Sequence, residues 1–585
     1  MSITRYELTV HLRTASPLHS GDVEEWVDRT NKGRTEPRRF VRDGANRPVL
    51  TGRSVKGAIR AAYEKHYGTD DPRLGRLWGG LSDQGARASA LTFHAVDLSG
   101  PDAARARADE AGDSGNSALA TRMGNAVDRY WGSAGDTALF EHEYIPAGRP
   151  LTLRITAQAG VMPPNRPGDP APFMEAPDHG VGEEDVEDLF AIILGLLKSE
   201  RVALNGVKNA LGGERIAFGG RKNAGWGRVR IDARPDGTFW VLTKTPLGCR
   251  DDLVNWLANG YGQDMTGAIE PVDCEDPDRM RITIDWTSPT GILVADPRRS
   301  EAEREEQERE KQERAGKPAK GAGGGGEDDD CAAEGIVPAK PMLTGTDEGE
   351  RLVLPGTSVR GALRSRASRI ARTVLARHLP PEKQDDWSDA NVHRQLAADP
   401  ALVRDLFGST ERRGALTVLD TLAELNGSPR RVTHNAGDRW TGGVAEGALY
   451  GEEIHDAKWK GIVLELDLGA LSEDGDRRKA AWCLLGLVLA ELASGTLPLG
   501  SRGTRGLGQV EVTGITVEGG RGLGFEDWSL KAPGGGGGGG RPLAQQLLSR
   551  LQAVNQGIKA NPGANEGWTG WSSYLCDDQE GARNA

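Results

Sequence analysis

The chain has 585 residues, 37% hydrophobic and 27% charged, a length that exceeds one ordinary hydrophobic core and predicts two or three domains. No apolar run approaches the roughly 20 residues of a membrane-spanning helix, so no membrane partner is expected. The formal charge of −12 does not exclude nucleic acid, because the acids are local: residues 301–330 hold 11 acids against 6 bases, and 566–585 hold 4 against 1.

The first predicted element is an alternating strand in MSITRYELTVHL, which has no basic flank, long apolar stretch or small-residue cleavage site and gives no secretion signal. The five cysteines, Cys249, Cys274, Cys331, Cys483 and Cys576, form no CxxC pair, so neither a zinc site nor a disulfide framework is expected and a reducing cytoplasm fits. After the strand come ASPLHSGD at 15–22, a helix opened by PVLTGRSVKGAIRAAYE at 48–64, LGRLWGG at 74–80 and a strand in ALTFHAVDL at 90–98. NAVDRYWGSAGDTALFEHE follows at 125–143, then a stretch at 161–177 too rich in proline for a helix or inner strand. The apolar helix VEDLFAIILGLLKS leads through the glycine loop FGGRKNAGWGRVRI, 218–231, into a last strand.

The chain then says nearly the same thing again. TSPTGILV at 287–294 matches ASPLHSGD, which sets Gly291 opposite His19, and LVLPGTSVRGALRSRAS at 352–368 matches the helix block. VRDLFGS at 403–409 and ALTVLDTL at 415–422 follow, and NAGDRWTGGVAEGALYGEE at 435–453 pairs with 125–143 without a gap. LGSRGTRGLGQVEV at 499–512 matches the glycine loop. Five blocks repeated in order predict two tandem α+β domains of ferredoxin-like (RRM-like) type. The expected boundaries are 1–235 for the first domain, 236–278 for an inter-domain connection, and 279–520 for the second domain, with an acidic, glycine-rich insertion at 301–330. A flexible tether and a helical tail at 521–585 close the chain, the tail helix marked by Leu543, Leu547, Leu548 and Leu551.

The glycine loops follow a helix and enter a strand, the reverse of a nucleotide-binding loop, and lack its Gly-Lys-Ser/Thr ending. Glycine removes the Cβ barrier to a close-lying polymer, so these loops are either plain tight turns or places where backbone amides and Arg221, Lys222, Arg502 and Arg505 hold successive phosphates. Likewise Ser54 and Ser358 cap the helices they open, or those helix starts take an anion with Arg53, Lys56, Arg60, Arg360 and Arg364 nearby. The Asp128/Arg129 and Asp438/Arg439 pairs are either salt-bridged braces or RNA contacts, with structure favoured for the aspartates and RNA for the arginines.

These glycine loops, the GRSVKG and PGTSVRG blocks, LWGG and LFGS, and the NAVDRYWG and NAGDRWTGG segments resemble the RAMP superfamily, specifically the backbone subunits of type III CRISPR effector complexes. Two domains in one chain resemble the fused subunits of type III-D-like systems. The resemblance implies domains aligned along a guide RNA (crRNA), a thumb-like β-hairpin around the NAxDR segment, pairing with a complementary target RNA, and other CRISPR effector subunits as partners. It also implies endoribonuclease cleavage of the target by an aspartate in the loop after the first strand with a divalent metal, Mg2+ being the expected ion. In this chain Asp28 is the preferred metal-holding and catalytic carboxylate, ahead of Asp22, Glu36 and Asp43; in the second half Asp296 and the run Asp328, Asp329 and Asp330 are the counterparts. Two alternatives stay open: a non-catalytic RNA-binding scaffold, and a metal-independent guide-processing endoribonuclease with His19 as its base.

Overall fold

The computed structural model describes residues 4–21, 38–82, 85–98, 119–127, 134–160, 181–198, 216–234, 236–247, 249–260, 262–272, 274, 278–315, 337–346, 348–379, 384, 387–388, 392–425, 428–533, 541–562, 564 and 568–576. They form two compact units: Met1–Gly124 with Leu139–Asp276, and Pro277–Ala585 with Asn125–Ala138.

In the first unit, strand β1 (Thr4–Thr14) alternates as the sequence requires, burying Tyr6, Leu8, Val10 and Leu12. Helix α1 (Gly52–Tyr67) buries Val55, Ile59 and Tyr63, and its cap is Thr51, whose hydroxyl accepts the Ser54 amide at 3.3 Å. Gly52 is obligatory there: a Cβ would stand 1.9 Å from the Phe93 carbonyl oxygen of β2 (Leu91–Phe93). Strands β3 (Ala120–Val127) and β4 (Ala134–Tyr144), which straddle the division of the units at 124/125 and 138/139, make a two-stranded sheet of their own. Then come β5 (Pro150–Ala159), the apolar helix α2 (Glu183–Leu197), β6 (Val229–Ile231), β7 (Trp240–Pro246), α3 (Arg250–Asn259) and β8 (Gln263–Asp264). The main sheet runs β8-β7-β1-β5-β2, with β6 also on β1.

Two stretches of the segment expected to be a connection, 236–278, are strands of this sheet, β7 and β8. β6 pairs only with Leu12–Thr14, so the Thr4–Val10 edge would be left with unpaired backbone groups, and β7 fills it antiparallel. Ile269 and Cys274 are buried in the same core, and the Val272 amide donates to the Ala191 carbonyl of α2 at 3.1 Å.

The second unit repeats the order. Strand β9 (Arg279–Thr287) is followed by α4 (Pro297–Ala315), so the acidic stretch is helical up to Ala315. Next come β10 (Gly349–Leu354), α5 (Gly356–Leu375), α6 (Ala401–Phe407) and β11 (Leu416–Val418). A hairpin of β12 (Arg430–Gly437) and β13 (Val444–Ile454) precedes β14 (Ile462–Asp467), α7 (Gly475–Ala493), β15 (Glu511–Glu518), β16 (Trp528–Lys531) and α8 (Leu543–Gln556). The sheet runs β11-β14-β9-β15-β16. In both sheets the opening strand lies between the strand that enters and the strand that leaves the second apolar helix, which is the ferredoxin-like strand order.

The helical tail belongs to the core. Leu543, Leu547 and Leu551 of α8 are buried, and Gly486 of α7 admits them so closely that a Cβ there would lie 2.3 Å from a Leu551 methyl. Trp568, Tyr574 and Leu575 join the same cluster. The tether glycines 534–540 lie outside the described residues. No helix among the described residues is long and apolar enough to cross a membrane.

Candidate nucleic-acid interface

The two glycine loops fold identically, hydrogen bond by hydrogen bond. Gly220 and Ser501 each donate an amide to the loop after the opening strand, at His19 O and Leu293 O, both 2.7 Å. Gly227 donates to Pro17 O at 2.7 Å and Gly508 to Gly291 O at 2.9 Å. These contacts move the correspondence read from the sequence by two residues: the counterpart of His19 is Leu293, not Gly291, because the backbone groups rather than the Ser-Pro text fix the docking. Glycine is required where the loops touch, since a Cβ on Gly227 or Gly508 would meet the Phe218 or Leu499 carbonyl oxygen at 1.9 or 2.1 Å.

At the apex of each loop stands an arginine in the left-handed region, Arg221 with φ 56° and Arg502 with φ 65°. Only one other non-glycine residue with positive φ, Asn46, is found among the described residues. Left-handed backbone costs an L-residue roughly 1–2 kcal/mol, so an arginine retained there twice is held for its side chain. Each guanidinium lies over an aromatic ring of the adjacent β4 or β13 strand: Arg221 is 4.8 Å from the Phe140 ring centre, and Arg502 and Arg505 are 5.9 and 4.8 Å from that of Tyr450. In the first unit Arg221 also faces Trp226 at 5.6 Å, and Arg122 lies 5.1 Å from Tyr144 and 5.2 Å from Trp226. Burial first, then the neighbouring Arg38 and Arg122, lowers the Arg221 pKa to about 10, which leaves it charged at neutral pH. Lys222 occupies the short turn that follows.

The second loop has a carboxylate partner on β13. Glu452 of β13, 1% exposed, sets Oε1 2.8 Å from Arg502 Nε and 3.7 Å from Arg505 Nη1, with Oε2 3.2 Å from His434 Nε2. Glu452 Oε1 and His434 Nε2 nevertheless lack an aligned hydrogen bond, so the two arginine contacts are ion pairs of poor directionality. The gapless match of 125–143 with 435–453 puts His142 at the position of Glu452 and Phe140 at that of Tyr450.

Several arginines expected at RNA also make contacts within the protein. Arg364 pairs with the fully buried Asp399 at 2.8 Å and donates to Gly408 O at 3.0 Å; Arg60 pairs with Glu64 at 2.7 Å and donates to Gly79 O at 3.2 Å. Arg360 donates to the Phe407 and Leu416 carbonyls. In each half these arginines satisfy a carbonyl at the end of a short helical segment, Gly79 in the first and Phe407 and Gly408 in the second, that has no intrahelical donor for it. At the start of α5 the Gly356 amide donates to Asp420 Oδ1 at 2.8 Å, and Ser358 supplies only its amide, to Pro355 O at 2.9 Å, so the serine is not the cap. Arg53 is exposed, and Lys56 is half-buried with its pKa lowered by burial and then by Arg60.

Of the carboxylates expected to cut, Asp296 and Asp43 lie within the described residues. Asp296 sits at the start of α4, accepts the Arg298 amide at 3.2 Å, and has its pKa raised by burial, so it acts as a helix cap. Asp43 accepts the Ala45 and Arg47 amides, both at 2.9 Å, and braces a turn. Asp28, Asp22, Glu36, Arg129 and Asp328, Asp329 and Asp330 lie outside the described residues. Among the described residues no group of three or more His, Cys, Asp or Glu side chains is placed to hold a metal. His19 is 5% exposed, donates through Nδ1 to Glu143 O at 2.7 Å, and is walled by Phe40 and His142; its pKa is lowered by burial, a packed ring rather than an accessible base.

The β12–β13 hairpin supplies what the sequence reading missed. Asp438 closes its tip, accepting the Trp440 amide at 3.1 Å and the Thr441 hydroxyl at 2.8 Å, and those bonds hold its carboxyl below the usual range. Beside the exposed Arg439, Trp440 is 97% exposed. Both its place in the NAGDRWTGG repeat and its lack of a core period were visible in the sequence.

A RAMP superfamily model matches residues 11–230 and 339–511, both halves and both glycine loops. The chain belongs to the RAMP superfamily. Among solved structures, this RAMP protein is similar to a chain from a cryo-EM structure of type III-B Cmr-beta in the apo state, at 12% identity and a TM-score of 0.26, covering 40% of this chain and 98% of that one. No curated protein matches this sequence.

Proposed function

We propose that this RAMP protein is a guide-RNA-binding backbone subunit of a type III CRISPR interference complex, pairing its guide with a complementary target RNA. The observation that carries this is the duplicated loop: twice, a strained arginine is fixed over an aromatic ring beside glycines that leave the backbone open to a polymer. The exposed Trp440 and Arg439 at a hairpin tip suit a ring stacked on a base and a cation on the adjoining phosphate. Cleavage of the target is assigned to the first half, with Asp28 holding the divalent metal, since the Asp296 carboxylate is spent on a helix start. The scaffold alternative shares every binding contact and differs only in that step.

Nucleic acid extracted from the natively purified protein tests the reading: short RNAs sharing a 5′ sequence are expected. Charge reversal at Arg221, Lys222, Arg502 and Arg505 together is expected to weaken RNA binding and flatten its salt dependence, because fewer counterions are released. An intact preparation free of RNA, with an unchanged salt slope in the variant, refutes it.

A further inference from the structure

The two halves are built alike but charged differently at the places an RNA phosphate would reach. In the second half, two of the protein's own carboxylates already stand there. Glu452 lies 2.8 and 3.7 Å from the two loop arginines, and Asp420 takes the first amide of α5 at 2.8 Å. The repeat places His142 opposite Glu452 and Ala95 opposite Asp420, so the first half has neither carboxylate. The remaining cations of the second helix start, Arg360 and Arg364, are tied to Phe407, Leu416, Asp399 and Gly408.

Glu452 cannot readily give up its arginines. It is 1% exposed, and a carboxylate left in that position without cations is strongly disfavoured. A phosphate approaching the second loop therefore meets arginines whose charge is already countered by a carboxylate within 4 Å, whereas at the first loop Arg221 rests on uncharged rings, Phe140 and Trp226. Charge-assisted contacts to phosphate follow the uncompensated charge.

We propose that Glu452 and Asp420 are internal phosphate surrogates that occupy the anion positions of the second half, so that the first half grips the RNA backbone strongly and the second half weakly. The arrangement keeps the second loop folded without RNA and makes its position along the guide exchangeable. This rests on the reading that the glycine loops contact RNA.

The test uses the full chain, stripped of co-purified nucleic acid at high salt, and a fluorescein-labelled single-stranded oligoribonucleotide followed by anisotropy over a salt series. E452Q is expected to bind at least about threefold more tightly, with a salt slope steeper by about 0.7 for each phosphate gained. D420N retains an oxygen for the Gly356 amide and so keeps the helix start; it is expected to shift affinity in the same direction and keeps the test alive should thermal melting show E452Q misfolded. R221Q is expected to weaken binding more than R502Q/R505Q. Parental affinity and slope in folded E452Q and D420N, or equal losses in R221Q and R502Q/R505Q, overturn the asymmetry while leaving RNA contact at the loops intact. Parental binding in R221Q and R502Q/R505Q alike overturns both, and removes the loops from the interface.

Discussion

Trp440 is the sharpest place to separate binding from folding. Its side chain is 97% exposed, so replacing it by alanine removes almost no surface buried on folding, and the bonds that shape the turn run from its backbone amide and from Thr441 to Asp438, not from the indole. The stability change expected for such a site is within about 0.5 kcal/mol. Stacking of one base on an aromatic ring contributes about 1–3 kcal/mol, which is roughly a 5- to 150-fold change in dissociation constant. Trp440→Ala is therefore expected to keep the parental melting curve while weakening guide or guide–target binding by that factor, and Trp440→Phe to recover most of it. Anisotropy with labelled RNA and thermal melting of the same preparations read the two quantities. Parental affinity in a Trp440→Ala protein that melts normally refutes the hairpin tip as an RNA contact; a large loss of stability refutes the exposed placement itself.

Asp28→Ala is expected to abolish one metal-dependent cut in a guide-paired target with guide and target binding nearly unchanged, because a metal-holding carboxylate favours the transition state over the bound duplex; product gels and binding curves decide it. Leu547→Ala empties a fully buried position between α7 and α8 and is expected to destabilise the second unit by about 2–5 kcal/mol, read as a lower denaturation midpoint and faster hydrogen exchange in α8. A tail that merely hangs from its tether would show no such change. Asp296 has a folded-state pKa raised by burial, so its charged form opposes folding above that pKa and the penalty disappears as pH falls through it. Asp296→Asn, which preserves the cap, is expected to raise stability most at neutral pH, with the gain shrinking on acidification; a loss of stability at neutral pH would show that the charge itself holds α4 in place.

Much of this protein is legible in its sequence because the chain repeats itself. Alternation in YELTVHL and MRITIDW, the small-residue helix starts and the apolar second helices fix the elements through periods of two and 3.6, and their repeated order fixes two ferredoxin-like units. Gly52, Gly356, Gly227 and Gly508 recur because carbonyl oxygens of neighbouring strands or of their own loop leave no room for a Cβ. What the text of the repeat could not give is who neutralises whom. Arg364 and Arg221 look alike in a sequence, yet one is bound to a buried aspartate 35 residues away and the other lies on an aromatic ring. Whether 236–278 was a connector, and whether 541–576 was a tail, depended on unpaired edges and apolar grooves that exist only once the sheets and α7 have formed. Local periodicity is written in neighbouring residues, but charge compensation and burial are set by groups that only the tertiary fold brings within a few ångströms.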